Sequence, residues 1–130
     1  MKIPRLVLAG FFAALTLSAV QAQSAQEIRV SLTSYAFSPA TITLKAGTSY
    51  RLHLINDSKK GHDFTAADLF AASTVAPADK AKLEDDSEVE VDPGQSTDIT
   101  LTPNRAGTYS LSCSHFLHTM LGMKGTIIVQ

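Results

Sequence analysis

Residues 113–123 read Cys-Ser-His-Phe-Leu-His-Thr-Met-Leu-Gly-Met and hold the only cysteine, two of the four histidines and two of the three methionines in the chain. Some fifty residues earlier, Gly61-His62-Asp63-Phe64 supplies a third histidine. A thiolate, imidazoles and nearby thioethers are soft-to-borderline donors. That set suits copper, because thiolate and thioether hold Cu(I) while imidazole serves both oxidation states. Zinc would accept Cys and two His but has little use for methionine. Magnesium and calcium want clustered carboxylates, and no such cluster accompanies these residues. A single cysteine makes neither an internal disulfide nor a four-thiolate zinc or iron–sulfur site. The plain alternative for Cys113 is an inert core thiol, against which the density of donors around it argues.

These donors need a scaffold, and the pattern around them is that of short strands. Apolar residues alternate in Glu27–Thr33, Thr41–Lys45, Tyr50–Ile55, Glu88–Val91, Thr97–Leu101, Thr108–Cys113 and Gly125–Val129. Asn56-Asp57-Ser58, Asp92-Pro93-Gly94-Gln95 and Pro103-Asn104-Arg105-Ala106-Gly107 punctuate them as turns. Short strands spaced by turn signals predict an all-β, antiparallel sandwich. Only Asp68–Ala72 and Pro77–Leu83 look helical, so residues 64–87 form one irregular excursion. In this reading Cys113 ends one strand, Gly125 opens the next, and His62 lies at a strand end. The donors then meet at one pole of the sandwich.

Length and charge bound the function. A chain of 130 residues is a one-domain prior. With 45% hydrophobic and 18% charged residues it is globular in composition. A net charge of −1 leaves no electrostatic footprint for nucleic acid. Lys2 and Arg5 precede an apolar run, Leu6–Leu17, and Val20-Gln21-Ala22 offers small residues for cleavage. Residues 1–22 are therefore expected to be a secretory signal and 23–130 the mature domain. A membrane anchor needs about 20 apolar residues, more than this run has. No cysteine follows the run to carry a lipid. The expected product is a periplasmic protein, not inserted in the membrane once cleaved, with Cys113 as a lone thiol in an oxidising compartment.

With those residues in view, the sequence resembles the cupredoxins, the small type 1 blue-copper proteins. The resemblance is carried by Gly61-His62-Asp63-Phe64 and by the segment from Tyr109 through Cys113, His118 and Met123 to Val129. The Cys-x4-His-x4-Met spacing is similar to that of rusticyanins and auracyanins, and Ala40–Gly47 resembles the family's second strand and turn. The resemblance implies a Greek-key β-sandwich holding one copper ion. It further implies His62 and His118 as imidazole ligands, Cys113 as the thiolate and Met123 as the weak axial ligand.

The chain departs from the family pattern at three places. Asp63 stands where many relatives have Asn, and a carboxylate beside a thiolate would lower the reduction potential unless turned away. Leu117 replaces the glycine that often precedes the loop histidine. His115 and Met120 are extra donors, able to compete with His118 and Met123; otherwise they read as an exposed neighbour and an apolar rim residue. His53, alternating with Arg51, is expected to face solvent, and Lys59-Lys60 and Glu84-Asp85-Asp86 to be solvated charge clusters.

Enzyme readings fare poorly. A Cys–His nucleophile would lie in a metal-spaced loop without an indicated cleft. Multicopper enzymes need further His clusters, and a binuclear copper centre needs two cysteines. Two classes remain, a one-electron carrier and a periplasmic copper-handling protein. The carrier reading carries two expectations: a monomer, and a transient redox partner docking on an apolar collar formed by several of Phe116, Leu117, Thr119, Met120 and Leu121 around His118.

Overall fold

Alternating burial turns each short segment into a strand with one face inward. In the computed structural model, which describes residues 23–130, the strands are β1 (Gln26–Thr33), β2 (Ala36–Ser38), β3 (Thr41–Leu44), β4 (Tyr50–Asn56) and β5 (His62–Thr65). After a one-turn helix α1 (Ala67–Ala71) come β6 (Ser73–Val75), a 3-10 turn (Lys80–Lys82), β7 (Glu88–Val91), β8 (Ser96–Pro103), β9 (Gly107–Ser112) and β10 (Lys124–Val129). The leader expected over residues 1–22 lies outside the described residues.

Two five-stranded sheets form, ordered β2-β1-β4-β8-β6 and β3-β10-β9-β5-β7. Between them lies one core, in which Val30, Leu32, Leu54, Phe64, Ile99 and Ile127 lose all contact with solvent. The sandwich expected from the sequence is present, and antiparallel ladders dominate it. Two ladders are parallel, however: β1 with β4 and β3 with β10. Alternation reports which face a strand buries but not the direction of its neighbour, so this feature had no sequence signal. Two short strands also went unread, and a third, β5, was read only as a strand end at His62. β2 and β6 have three residues each, too few to display a period, and β5 is buried at its first three positions, so it does not alternate.

The excursion is less irregular than expected. It contains the end of β5, α1, β6 and the 3-10 turn, with Leu69 and Phe70 buried in the core. At the Asp79 corner, the carboxylate accepts from the Thr100 N–H at 2.8 Å and pairs with Lys82 Nζ at 2.7 Å.

The turn between β4 and β5 aims the first candidate ligand. Asn56 is fully buried, and its amide nitrogen donates to the carbonyls of Lys60 and Val91, both at 2.8 Å. Its carbonyl oxygen accepts from the Ser58 N–H and hydroxyl at 3.0 and 2.8 Å. The sequence Asn-Asp-Ser thus closes a turn and fastens it to the end of β7, delivering Gly61 and His62 into the second sheet. His53 lies, as its alternation with Arg51 predicts, on the outer face of the first sheet, where it is half-buried. Register sets it opposite Asp98, whose carboxylate lies 2.6 Å from Nδ1.

Candidate metal centre

β9 ends at Ser112 and β10 begins at Lys124, so residues 113–123 form the connecting loop. The loop folds on its own hydrogen bonds. Cys113 N–H donates to the Met123 carbonyl at 3.3 Å, Met123 N–H to the His118 carbonyl at 3.0 Å, and His118 N–H to the His115 carbonyl at 3.0 Å. The Thr119 hydroxyl closes on the Cys113 carbonyl. Leu117 adopts a φ of +67°, the region glycine occupies without penalty. The loop therefore keeps the backbone form that glycine would favour, with a leucine side chain held in it.

This folding brings together Cys113, His118 and, from the first position of β5, His62. Their donor atoms lie within 4.8 Å of one another. Cys113 Sγ is 3.5 Å from His118 Nδ1 and 4.0 Å from His62 Nδ1. Bonds of the usual ~2.0 Å to nitrogen and ~2.3 Å to sulfur would set trigonal donors roughly 3.7 Å apart, so the three fit one ion. Met123, in the same loop, is completely buried. The Ser34 hydroxyl sits 3.3 Å from His62 Nε2, and the tautomer that donates there leaves Nδ1 free to face the sulfur. His62 is wholly enclosed, while His118 keeps 9% exposure, the order expected of a strand-end and a loop histidine.

Electrostatics favour bare donors over protonated ones. Burial pushes the His62 and His118 imidazoles below their ordinary pKa, and neighbouring histidines add to the effect. Burial also pushes the Cys113 thiol up, against the lowering effect of backbone N–H groups of Asp63 and His115. Neutral imidazoles present lone pairs to a soft cation, and a thiol gives up its proton on binding one.

The departures from the family pattern now have structural answers. The Asp63 carboxylate is buried yet turned into the loop: it accepts from Ser114 N–H at 2.8 Å and from the hydroxyls of Ser114 and Thr65. It ties β5 to the loop while its own N–H points at Cys113 Sγ from 3.5 Å. His115 is not free in solvent. Its Nε2 lies 2.8 Å from Glu90 Oε2, and its ring stacks on His118 at 5.2 Å with planes 9° apart. Burial opposes protonation of His115, but the Glu90 hydrogen bond and charge outweigh it and raise the pKa. Asp63, Cys113 and His115 form a second group of close donors, although Asp63 and His115 are already engaged by the partners just described. Met120 is 83% exposed, in keeping with a rim position.

Sequence reasoning missed Ser34, Tyr35 and Glu90. Tyr35, in the turn between β1 and β2, packs its ring 4.9 Å from that of His118 and edge-on to His62 at 6.4 Å. Its hydroxyl accepts from Lys60 Nζ at 3.0 Å, so Lys60 is engaged rather than merely solvated. An aromatic residue inside an otherwise small, polar turn (Thr33-Ser34-Tyr35-Ala36) was the available signal.

A buried cysteine between two imidazoles at the pole of a two-sheet sandwich defines a small copper protein. The chain belongs to the cupredoxin-like family, whose domain model matches residues 6–129. It is 26% identical, over an alignment of 142 positions, to the copper-resistant cuproprotein CopI of Pseudomonas aeruginosa, covering 84% of this chain and 78% of that one. Among solved structures it is similar to auracyanin B, with a TM-score of 0.61 and 23% identity, covering 85% of this chain and 93% of the other. Auracyanin A of Chloroflexus aurantiacus superposes with a TM-score of 0.60 at 21% identity, over 82% and 100% of the two chains. A multicopper oxidase of Campylobacter jejuni gives 0.60 at 12% identity, and this chain covers 88% of itself but 32% of that protein.

Proposed function

We propose that this protein is a periplasmic one-electron carrier with a single type 1 copper site. His62, Cys113 and His118 are the equatorial ligands and Met123 is the axial one. Bound copper would supply the one-electron couple between Cu(I) and Cu(II), for which thiolate, thioether and imidazole together provide a shared donor set. The observation that carries the reading is how the donors are held. Cys113, His62 and Met123 are fully buried, and three of the four residues lie on a self-bonded loop anchored at both ends by strands. Donors so fixed hold nearly one geometry in both oxidation states, which favours fast transfer. Among the described residues, both groups of candidate donors share Cys113, in keeping with one metal.

The route off the protein is read from exposure. His118 is the ligand whose edge reaches the surface, and around it Phe116, Leu117, Met120 and Leu121 stand 88%, 45%, 83% and 56% exposed. Four large apolar side chains on one loop form a patch that suits a small, short-lived interface with a redox partner. The experiment is to introduce Met120→Lys or Leu121→Lys, confirm an intact copper spectrum, and compare electron self-exchange with the parent protein. A charged collar slows exchange through repulsion and lost apolar contact. Unchanged rates in both variants place the exit elsewhere.

The similarity to a protein named for copper resistance supports a second reading, in which the same donors capture and deliver the ion. Reversible redox cycling with intense thiolate-to-copper absorption supports the carrier. Ready release of Cu(I) to a chelator, without a usable couple, supports handling.

A further inference from the structure

The loop ligand has a positioning problem that the loop alone does not solve. His118 follows the positive-φ Leu117, and its backbone bonds only to His115 and Met123 of the same loop. No ladder from either sheet fixes where its ring points. Two other rings do. His115 lies nearly parallel to it, and Tyr35 packs on it at 57° with centroids 4.9 Å apart.

Each of these rings is held by a charged side chain from outside the loop. Lys60, in the turn before β5, donates to the Tyr35 hydroxyl and lies 5.6 Å from the centre of its ring. Glu90, on β7 and paired in register with Asp63, grips His115 Nε2 through both carboxylate oxygens at 2.8 and 3.1 Å. Room for that grip depends on Gly61. A Cβ there would come within 2.8 Å of Glu90 Oε1 and 3.2 Å of His115 Cε1.

We propose that Tyr35 and His115 form a two-sided ring clamp that fixes the orientation of the His118 imidazole, with Lys60 and Glu90 as its anchors. The four are positioning residues, and the assignment rests on the reading of His118 as a copper ligand. Packing of one aromatic ring on another is worth about two- to tenfold in an equilibrium, so each jaw should be measurable separately.

His118→Gly opens a hole the size of the ring, and free imidazole is the probe that refills it. In the copper-loaded variant, imidazole binding is read from the return of the thiolate-to-copper absorption. Adding Tyr35→Leu should weaken imidazole about two- to tenfold, and adding Glu90→Ala, which releases His115, should do the same. Glu90→Gln, whose amide still bonds the ring, should stay within about twofold of the parent. Unchanged affinity in either Tyr35→Leu or Glu90→Ala overturns the two-sided clamp. Failure of imidazole to restore the band in His118→Gly overturns the ligand assignment, and the clamp with it. A second arm needs no metal. In the metal-free chain with His118 intact, the ring proton resonances of His118 should move on Tyr35→Leu and on Glu90→Ala, and stationary resonances would overturn the clamp independently.

Discussion

At the scale of single residues, the two methionines of the loop differ in one physical respect, burial. Met123 is sealed in the core and Met120 is among the most exposed apolar residues described. Met123→Leu should therefore leave copper bound but raise the reduction potential, because a weak donor to the oxidised ion is lost. Met120→Leu should leave the potential unchanged. Voltammetry of the two variants checks this, and the reverse pattern would assign the axial role to Met120. Cys113→Ser should abolish the coloured Cu(II) form, seen directly in the visible spectrum. Residue type and spacing pointed to a soft-donor cluster around Cys113, while the choice of His62 and His118 came from the family resemblance and left His115 open; the structure brings His62, Cys113 and His118 together. Glu90 was not legible. In Glu88-Val89-Glu90-Val91 it looks like any outward acid, and only the pairing of β7 with β5 brings it opposite Asp63 and beside His115. Tyr35 escaped for the same reason, since what it packs on comes from segments far along the chain.

At the scale of elements, the β4–β5 turn and the Asp79 corner both convert one buried polar side chain into local order. Asn56→Ala would leave two backbone carbonyls and a serine without their partner, at a cost of about 1–3 kcal/mol. The melting temperature should fall accordingly. The same change should loosen His62, which begins the strand that the turn delivers. Asp79 gives a pH dependence whose sign follows from its partners. Burial alone would raise its pKa, but the Lys82 ion pair and the Thr100 N–H outweigh it and hold the carboxyl below the usual carboxylate range. A depressed native pKa adds stability that is complete above the unfolded-state value and is lost as pH falls through the native one. Thermal melts of the metal-free protein should thus show a decline on acidification that is shallower in Asp79→Asn. A decline of equal steepness in both proteins would remove Asp79 from that account. The strands themselves were legible wherever one face alone is buried. β5 was read only at its His62 end because both of its faces are covered, as its burial pattern shows.

At the scale of the whole molecule, the four proposed ligands do not hold the two sheets together. His62 opens β5, and the loop joins β9 to β10, three strands of one sheet in the order β3-β10-β9-β5-β7. The core between the sheets is filled mainly by aliphatic and aromatic side chains, with Cys113 and Met123 as its members from the loop. Removing copper with a chelator should therefore leave the far-ultraviolet circular dichroism unchanged, while the melting point rises with added copper in proportion to the logarithm of its concentration. Collapse of the β signal on chelation would contradict this separation of site from scaffold. The separation has a bearing on supply. Synthesis of such a chain need not be timed to the arrival of metal: in a copper-starved cell it would accumulate as an intact reserve, resistant to proteolysis, and the number of working molecules would then track copper influx rather than gene expression.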